Sequence, residues 1–191
     1  MTVVEENLFW YQGEEPETFE DAAGRCLAAI FDKSDFFDVC DLGTMRRLLD
    51  QMISSSEKND FLTDTGYAEY WKTLGAVTQI YARNLVSNSD FVDVSEITAR
   101  ELLEVMISKQ RDYGHDNILR FGRIGLLVRV HDKIARLENL TRRGAGPENE
   151  SLRDNYMDVI NYCAIGMMVE MEWFQLELSS VAEESSSSSS N

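Results

Sequence analysis

The sequence predicts an all-α protein, a bundle of about six helices with a long central helix at its C-terminal end. Three observations carry that expectation. Only two prolines, Pro16 and Pro147, occur in 191 residues, which leaves long stretches open to helix. Apolar residues recur at three and four through most of the chain, the period of an amphipathic helix. Residues that start and stop helices punctuate those stretches. A chain of this length holds one domain with a substantial core, or one domain with an appendage.

Residues 1 to 15 read as irregular, with an aromatic cluster, Phe9, Trp10 and Tyr11, that docks onto the body. From Glu17 to about Lys33, Phe19, Ala22, Ala23, Cys26, Leu27, Ile30 and Phe31 line one helical face, and the acids before it suit its N-terminal dipole. The connector Ser34 to Gly43 follows. Thr44 offers an N-cap for a second helix carrying Met45, Leu48, Leu49, Met52 and Ile53 on one side, which runs out at Ser54 to Ser56. Asp64 or Thr65 caps a third, whose broad stripe of Tyr67, Tyr70, Trp71, Leu74, Val77, Ile80, Tyr81 and Leu85 is core by its spacing.

After a polar loop from Ser87 to Ser95, Thr98 and Glu101 form a capping box that starts a fourth helix. Gly114 ends it. A fifth helix is expected from about Phe121 to Leu140, with Ile124, Leu127, Val128, His131, Ile134, Ala135 and Leu137 on its apolar side, His131 being a core residue. Gly144 to Pro147 make a turn. The sixth helix begins near Asn149 and reaches toward Leu178, apolar almost all round after Val159 and therefore central. Residues 179 to 191 are a disordered serine-rich tail by composition.

Charge singles out one stretch. Residues 109 to 143 carry a net charge of +5 in a chain of −16. Duplex nucleic acid is a disfavoured partner for so acidic a molecule, whereas a small phosphorylated ligand in a local basic pocket is compatible with it. No apolar run approaches a membrane span, the N-terminus lacks the basic flank of a signal peptide, and Cys26, Cys40 and Cys163 form no C-x-x-C pattern. A reducing cytoplasm is the expected compartment.

Two helix faces hold the chemistry. On the fifth helix Arg129, Asp132, Lys133 and Arg136 share a side; on the sixth, Glu150, Asp154 and Asp158 stack at i, i+4 and i+8 with Asn161 near the same face. The stacked carboxylates repel one another, and Asp158, beside the apolar run, needs a cation: Lys133, Arg129 or a metal. A ligand site and a structural ion network both account for the pattern. Neither phosphate-binding glycine loop occurs, and no serine or cysteine stands in a nucleophile setting.

The run K-x-x-D-Y-G (Lys109 to Gly114), F-G-x-x-G (Phe121 to Gly125), R-x-x-D-K-x-x-R-L (Arg129 to Leu137) and E-S-L-x-D-x-x-x-D-x-x-N-Y (Glu150 to Tyr162) resembles the nucleotide modification associated domain family of phages and bacteria. That family is often grouped with MazG-like all-α nucleoside triphosphate pyrophosphohydrolases. The resemblance divides the chain into an N-terminal helical extension, 1 to 95, and a domain over 96 to 178. It implies magnesium or manganese held by Asp132, Glu150, Asp154 and Asp158, with Glu150, Asp154 and Asp158 as the catalytic carboxylates. Lys109, Arg129, Lys133 and Arg136 would meet the phosphates and Tyr113 the base, giving a nucleoside monophosphate and pyrophosphate. It also implies a homo-oligomer, in the host cytoplasm where the chain is phage-encoded. The E-x-x-E pair of the MazG-like enzymes has its only counterpart near the signature in Glu101 and Glu104, far upstream of Asp154. Three functions stay open: a metal-dependent pyrophosphohydrolase, a nucleotide-binding protein without turnover, and an acidic interaction protein or inhibitor.

Overall fold

The computed structural model describes residues 13–32, 40–58, 64–88, 96–143 and 151–179. The aromatic cluster Phe9 to Tyr11, most of the 34–43 connector and of the 87–95 loop, the 144–147 turn, Glu150 and the tail from 180 lie outside those residues. Among the described residues there are seven helices and no strand: α1 (Phe19–Asp32), α2 (Leu42–Lys58), α3 (Asp64–Asn88), α4 (Ala99–Tyr113), α5 (Asp116–Leu119), α6 (Gly122–Arg143) and α7 (Leu152–Glu170). The single turn α5 is the one the sequence reading lacked.

α3 and α7 pack against each other at the centre, with α6, α1 and α2 around them and α4 closing the side formed by α1 and α7. Small residues make that central contact close. A Cβ on Gly166 would stand 2.4 Å from the Trp71 ring, and one on Gly75 would stand 3.2 Å from Cys163 Cβ. The core is one cluster drawing on both halves of the chain, Phe19, Ile30, Met52 and Trp71 from the first and Leu102, Ile134, Ile160 and Met167 from the second. No helix among the described residues is long and apolar enough to cross a membrane.

The last helix ends earlier than the hydrophobic pattern suggests. α7 stops at Glu170, Glu172 takes a left-handed φ of 59°, and the chain doubles back. Trp173 and Phe174 then bury themselves, and Glu177 accepts a hydrogen bond from the Phe19 backbone at 2.9 Å. Apolar residues past 170 therefore belong to a strap over α1 rather than to a continuing helix. At the same end Arg123 donates to Glu170 at 2.7 Å, lies 3.6 Å from the centre of the Tyr67 ring, and shares Glu170 with the Trp71 indole at 3.2 Å. This clasp ties α6, α3 and α7 at one end.

α6 is turned relative to its expected face. Leu126, Leu127, Val130, Ile134 and Leu137 are buried, while Ile124 is 66% and Val128 57% exposed. His131, expected in the core, has a side chain 48% exposed and edges a groove of about 320 Å³ with Ile53, Leu127 and Val128. Two overlapping apolar stripes run along this helix, and periodicity alone does not say which of them faces the core.

Two cross-helix ion pairs make stability depend on pH at the acid end. Arg46 on α2 grips Glu138 on α6 at 2.6 Å, and Arg153 on α7 grips Glu101 on α4. Each guanidinium, by its hydrogen bond, holds its carboxyl below the ordinary value of 4.5. A carboxyl depressed in the folded state contributes stability above its unfolded value and loses it as pH falls through the folded one. Urea midpoints should thus be level above about pH 5 and decline below it, with a shallower decline in Glu138→Gln. Equal acid slopes for the variant and the parent would show that the pair contributes nothing.

Candidate functional site

Five helices and the strap converge on one cleft. α4 leaves its last turn through Gly114, whose φ of 64° suits glycine, and whose N–H donates to the Gln110 carbonyl at 2.9 Å. That stop leaves Tyr113 66% exposed on the rim. His115 begins the next turn and is tied to the strap, with Nε2 3.0 Å from the Leu176 carbonyl and its ring edge-on to Phe174. α7 starts at Ser151, which caps the Asp154 N–H at 3.0 Å while the Asp154 carboxylate accepts from the Ser151 N–H at 3.3 Å.

The cleft has a volume of about 480 Å³. Met106, Lys109, Gln110 and Tyr113 reach it from α4, Arg129 from α6, and Asp158, Asn161, Tyr162 and Ile165 from α7; Asn117 and Ile118 of α5 close one side, and Phe19 and Phe174 complete the lining.

At its polar end Asp158, 16% exposed in its side chain, lies between two ammonium groups. Lys133 is 2.7 Å from Oδ2 and Lys109 is 3.1 Å from Oδ1. Arg129 lies 5.9 Å from the centre of the Tyr162 ring, at the outer range of a cation–π contact. Two ammonium groups thus hold one carboxylate, and Arg129 lines the same cleft.

At its inner end two amides are buried without partners. Gln110 is 7% and Asn161 5% exposed, and Gln110 Nε2, Asn161 Nδ2 and Asn161 Oδ1 make no hydrogen bond. Each such group costs about 1–3 kcal/mol. For Asn161 the choice of oxygen and nitrogen positions is immaterial, because both are unpartnered.

The structure brings together Lys109, Tyr113, Arg129, Lys133 and Asp158 among the residues singled out from sequence. It sets others apart. Asp154 is exposed and engaged in the capping box, Asp132 is 77% exposed and 3.9 Å from His131 Nδ1, Arg136 is half-buried a turn beyond Lys133, and Glu150 lies outside the described residues. The cleft also holds Gln110, Asn117 and Tyr162, which the sequence reading does not place in a site, and Asn161, which shares the acidic face. A polar amide interrupting the apolar stretch of α7 was the available signal.

Magnesium or manganese needs several oxygen ligands. Among the described residues no group of three or more His, Cys, Asp or Glu is placed to hold a metal ion, and the cleft's carboxylate, Asp158, already has both oxygens on ammonium groups. The described residues do not fit a metal held by the protein alone. The three cysteines are free, and burial pushes the Cys26 and Cys163 thiols far up, away from reactivity.

Residues 109–169 match the family model described as nucleotide modification associated domain 1. The span opens on Lys109 and takes in Gln110, Tyr113, Arg129, Lys133, Asp158, Asn161 and Tyr162, so every cation and amide of the cleft falls inside it. No curated protein and no solved structure matches the chain.

Proposed function

We propose that the cleft binds a nucleotide, its phosphates meeting Lys109, Arg129 and Lys133 and its base stacking on Tyr113 at the rim or on Tyr162 within. The observation that carries this reading is that Lys109 and Arg129 line an aromatic-walled cleft whose carboxylate, Asp158, is held by Lys109 and Lys133, in a chain of net charge −16. A local excess of positive charge in an acidic protein selects a small anion over a polyanion. Charge-assisted hydrogen bonds to phosphate are the strong class, and a tyrosine face stacks on a base without regard to its identity.

Asp158 gives the site a gate. A phosphate that meets Lys109 and Lys133 does so against the negative charge of the carboxylate they already hold, so Asp158 opposes ligand binding at these two ammonium groups. Binding without turnover is favoured over pyrophosphohydrolysis because, among the described residues, Asp158 is the one carboxylate that lines the cleft, and it is held by ammonium groups.

The test is a panel of nucleoside mono-, di- and triphosphates with magnesium or manganese, following melting temperature and pyrophosphate release together. Saturating ligand at about 100 times its Kd stabilises the folded state by about 2.7 kcal/mol, a readable shift. The expected result is a rise in melting temperature without pyrophosphate. Metal-dependent pyrophosphate release would replace this reading with the hydrolase, and silence in both channels would overturn nucleotide binding.

A further inference from the structure

Charge in the cleft gives way inward to amide. The Lys109 side chain is 54% exposed and that of Asp158, which it holds, 16%, whereas Gln110 and Asn161 are almost wholly buried. Gln110 follows Lys109 on α4 and Asn161 stands one turn beyond Asp158 on α7, so the lining passes from ionic groups near solvent to amides at depth. Met106, Ile118, Ile165 and Phe174 wall the same cleft with apolar surface.

What Asn161 asks of a ligand does not depend on how its amide is turned. Oδ1 and Nδ2 are both buried without a partner in the protein, so turning the amide over exchanges the two atoms and leaves the same need, a donor and an acceptor side by side on the ligand. A fully ionised phosphate presents acceptors and no donor. Every nucleobase presents the pair on one edge: N6–H beside N1 in adenine, N1–H beside O6 in guanine, N4–H beside N3 in cytosine, and N3–H beside O4 in uracil or thymine. A ribose diol also carries a donor beside an acceptor, but it has no aromatic face to lay on Tyr162 or against the apolar walls.

We propose that Asn161 is the base anchor of the cleft, its carboxamide making two hydrogen bonds to the edge of a nucleobase of any of these kinds. The inference rests on the nucleotide reading and deepens it: the base lies within, beside Tyr162, and not on Tyr113 at the rim. Around Asn161 on α7, Val159, Ile160, Cys163 and Ala164 are fully buried and apolar. A leucine in its place would leave no polar group unmade, so the amide destabilises the ligand-free fold unless something bonds to it. A base edge satisfies both of its atoms at once, and a ligand that leaves them unpaired is rejected.

The experiment is calorimetric titration of the full chain, parent and Asn161→Leu, with adenosine, guanosine, cytidine and uridine triphosphates and with two base-free probes, ribose 5-triphosphate and inorganic tripolyphosphate. The expected result in the parent is that each nucleotide binds at least about tenfold more tightly than either base-free probe, the effect of two hydrogen bonds made in a buried site. In Asn161→Leu the nucleotides should lose most of that advantage while tripolyphosphate affinity stays within about threefold of the parent's. A base preference that the variant keeps in full, or an equal loss of affinity for all six ligands, would overturn the anchor and leave nucleotide binding standing. Ribose triphosphate binding as tightly as the nucleotides would assign the amide to the sugar and overturn the anchor as well. Absence of binding by any nucleotide would overturn the nucleotide reading itself. Asn161→Met, with a more flexible side chain, supplies the same comparison if Asn161→Leu fails to fold.

Discussion

Gly166→Ala is expected to cost the fold about 3 kcal/mol, although alanine is the better helix former by about 1 kcal/mol. The added Cβ would meet three atoms of the Trp71 ring at 2.4, 2.6 and 2.7 Å, and Trp71 is fully buried. The ring has nowhere to retreat, because its Nε1–H is bonded to Glu170, which Arg123 holds from the other side. Gly75→Ala is the informative contrast. Its nearest neighbour, at 2.9 Å, is Ile30 Cδ1, the far end of a flexible side chain, though Cys163 Cβ stands at 3.2 Å. We expect a loss of about 1 kcal/mol or less there, since a rotamer change and the gain in helix propensity offset much of the contact. Urea midpoints of the two variants, read against the parent, make the comparison. Equal stability of Gly166→Ala and the parent would mean that α3 and α7 separate at little cost.

Helix starts were readable where a side chain caps them. Thr98 and Glu101 predict α4, and Thr98 accepts from the Glu101 N–H at 3.2 Å. Gly114 predicts its end and has the left-handed φ that glycine supplies. The end of α7 was not readable from periodicity, since Trp173 and Phe174 continue an apolar composition while serving a different element. What turns the chain is the left-handed Glu172 and the docking of the strap on α1, and the docking is a contact between residues far apart in sequence. The same limit applies to α6, whose two stripes differ by a rotation of the helix that only its neighbours decide.

The site was half legible for a comparable reason. Spacing set Glu150, Asp154 and Asp158 on one helical row, but a row does not say what each member does. Ser151 and Asp154 are also the first and last residues of S-x-x-D, a capping signature, and the structure has Asp154 bonding its own helix start. Asp158 was expected to need a cation, and Lys133 and Lys109 supply two. Lys109 lies 49 residues from Asp158, so that pairing depends on how α4 crosses α7 and has no local signature. The amides were the least visible part. Glutamine and asparagine are ordinary surface residues until the fold shows them sealed and unpartnered.

Replacing Lys109 and Lys133 together by methionine is expected to weaken nucleoside triphosphate binding by about 100-fold or more, because a hydrogen bond to a charged group contributes about 1.5–3 kcal/mol. The double variant alone would also leave the Asp158 carboxylate without these partners in a side chain only 16% exposed, confounding affinity with stability. The comparison is therefore best made with Asp158→Asn present throughout. Asp158→Asn by itself should act in the opposite direction, tightening triphosphate affinity by about tenfold, since the ligand no longer competes with a carboxylate for the two ammonium groups. A structural ion network predicts another pattern: loss of stability in Asp158→Asn and no change in ligand affinity for any variant. A hydrolase predicts a third, in which Asp158→Asn binds substrate and releases no pyrophosphate while the parent turns it over. Opposite signs for the lysine and aspartate substitutions, measured at two salt concentrations so that screening shows the attraction to be electrostatic, identify the cation pair as a phosphate site gated by its own carboxylate.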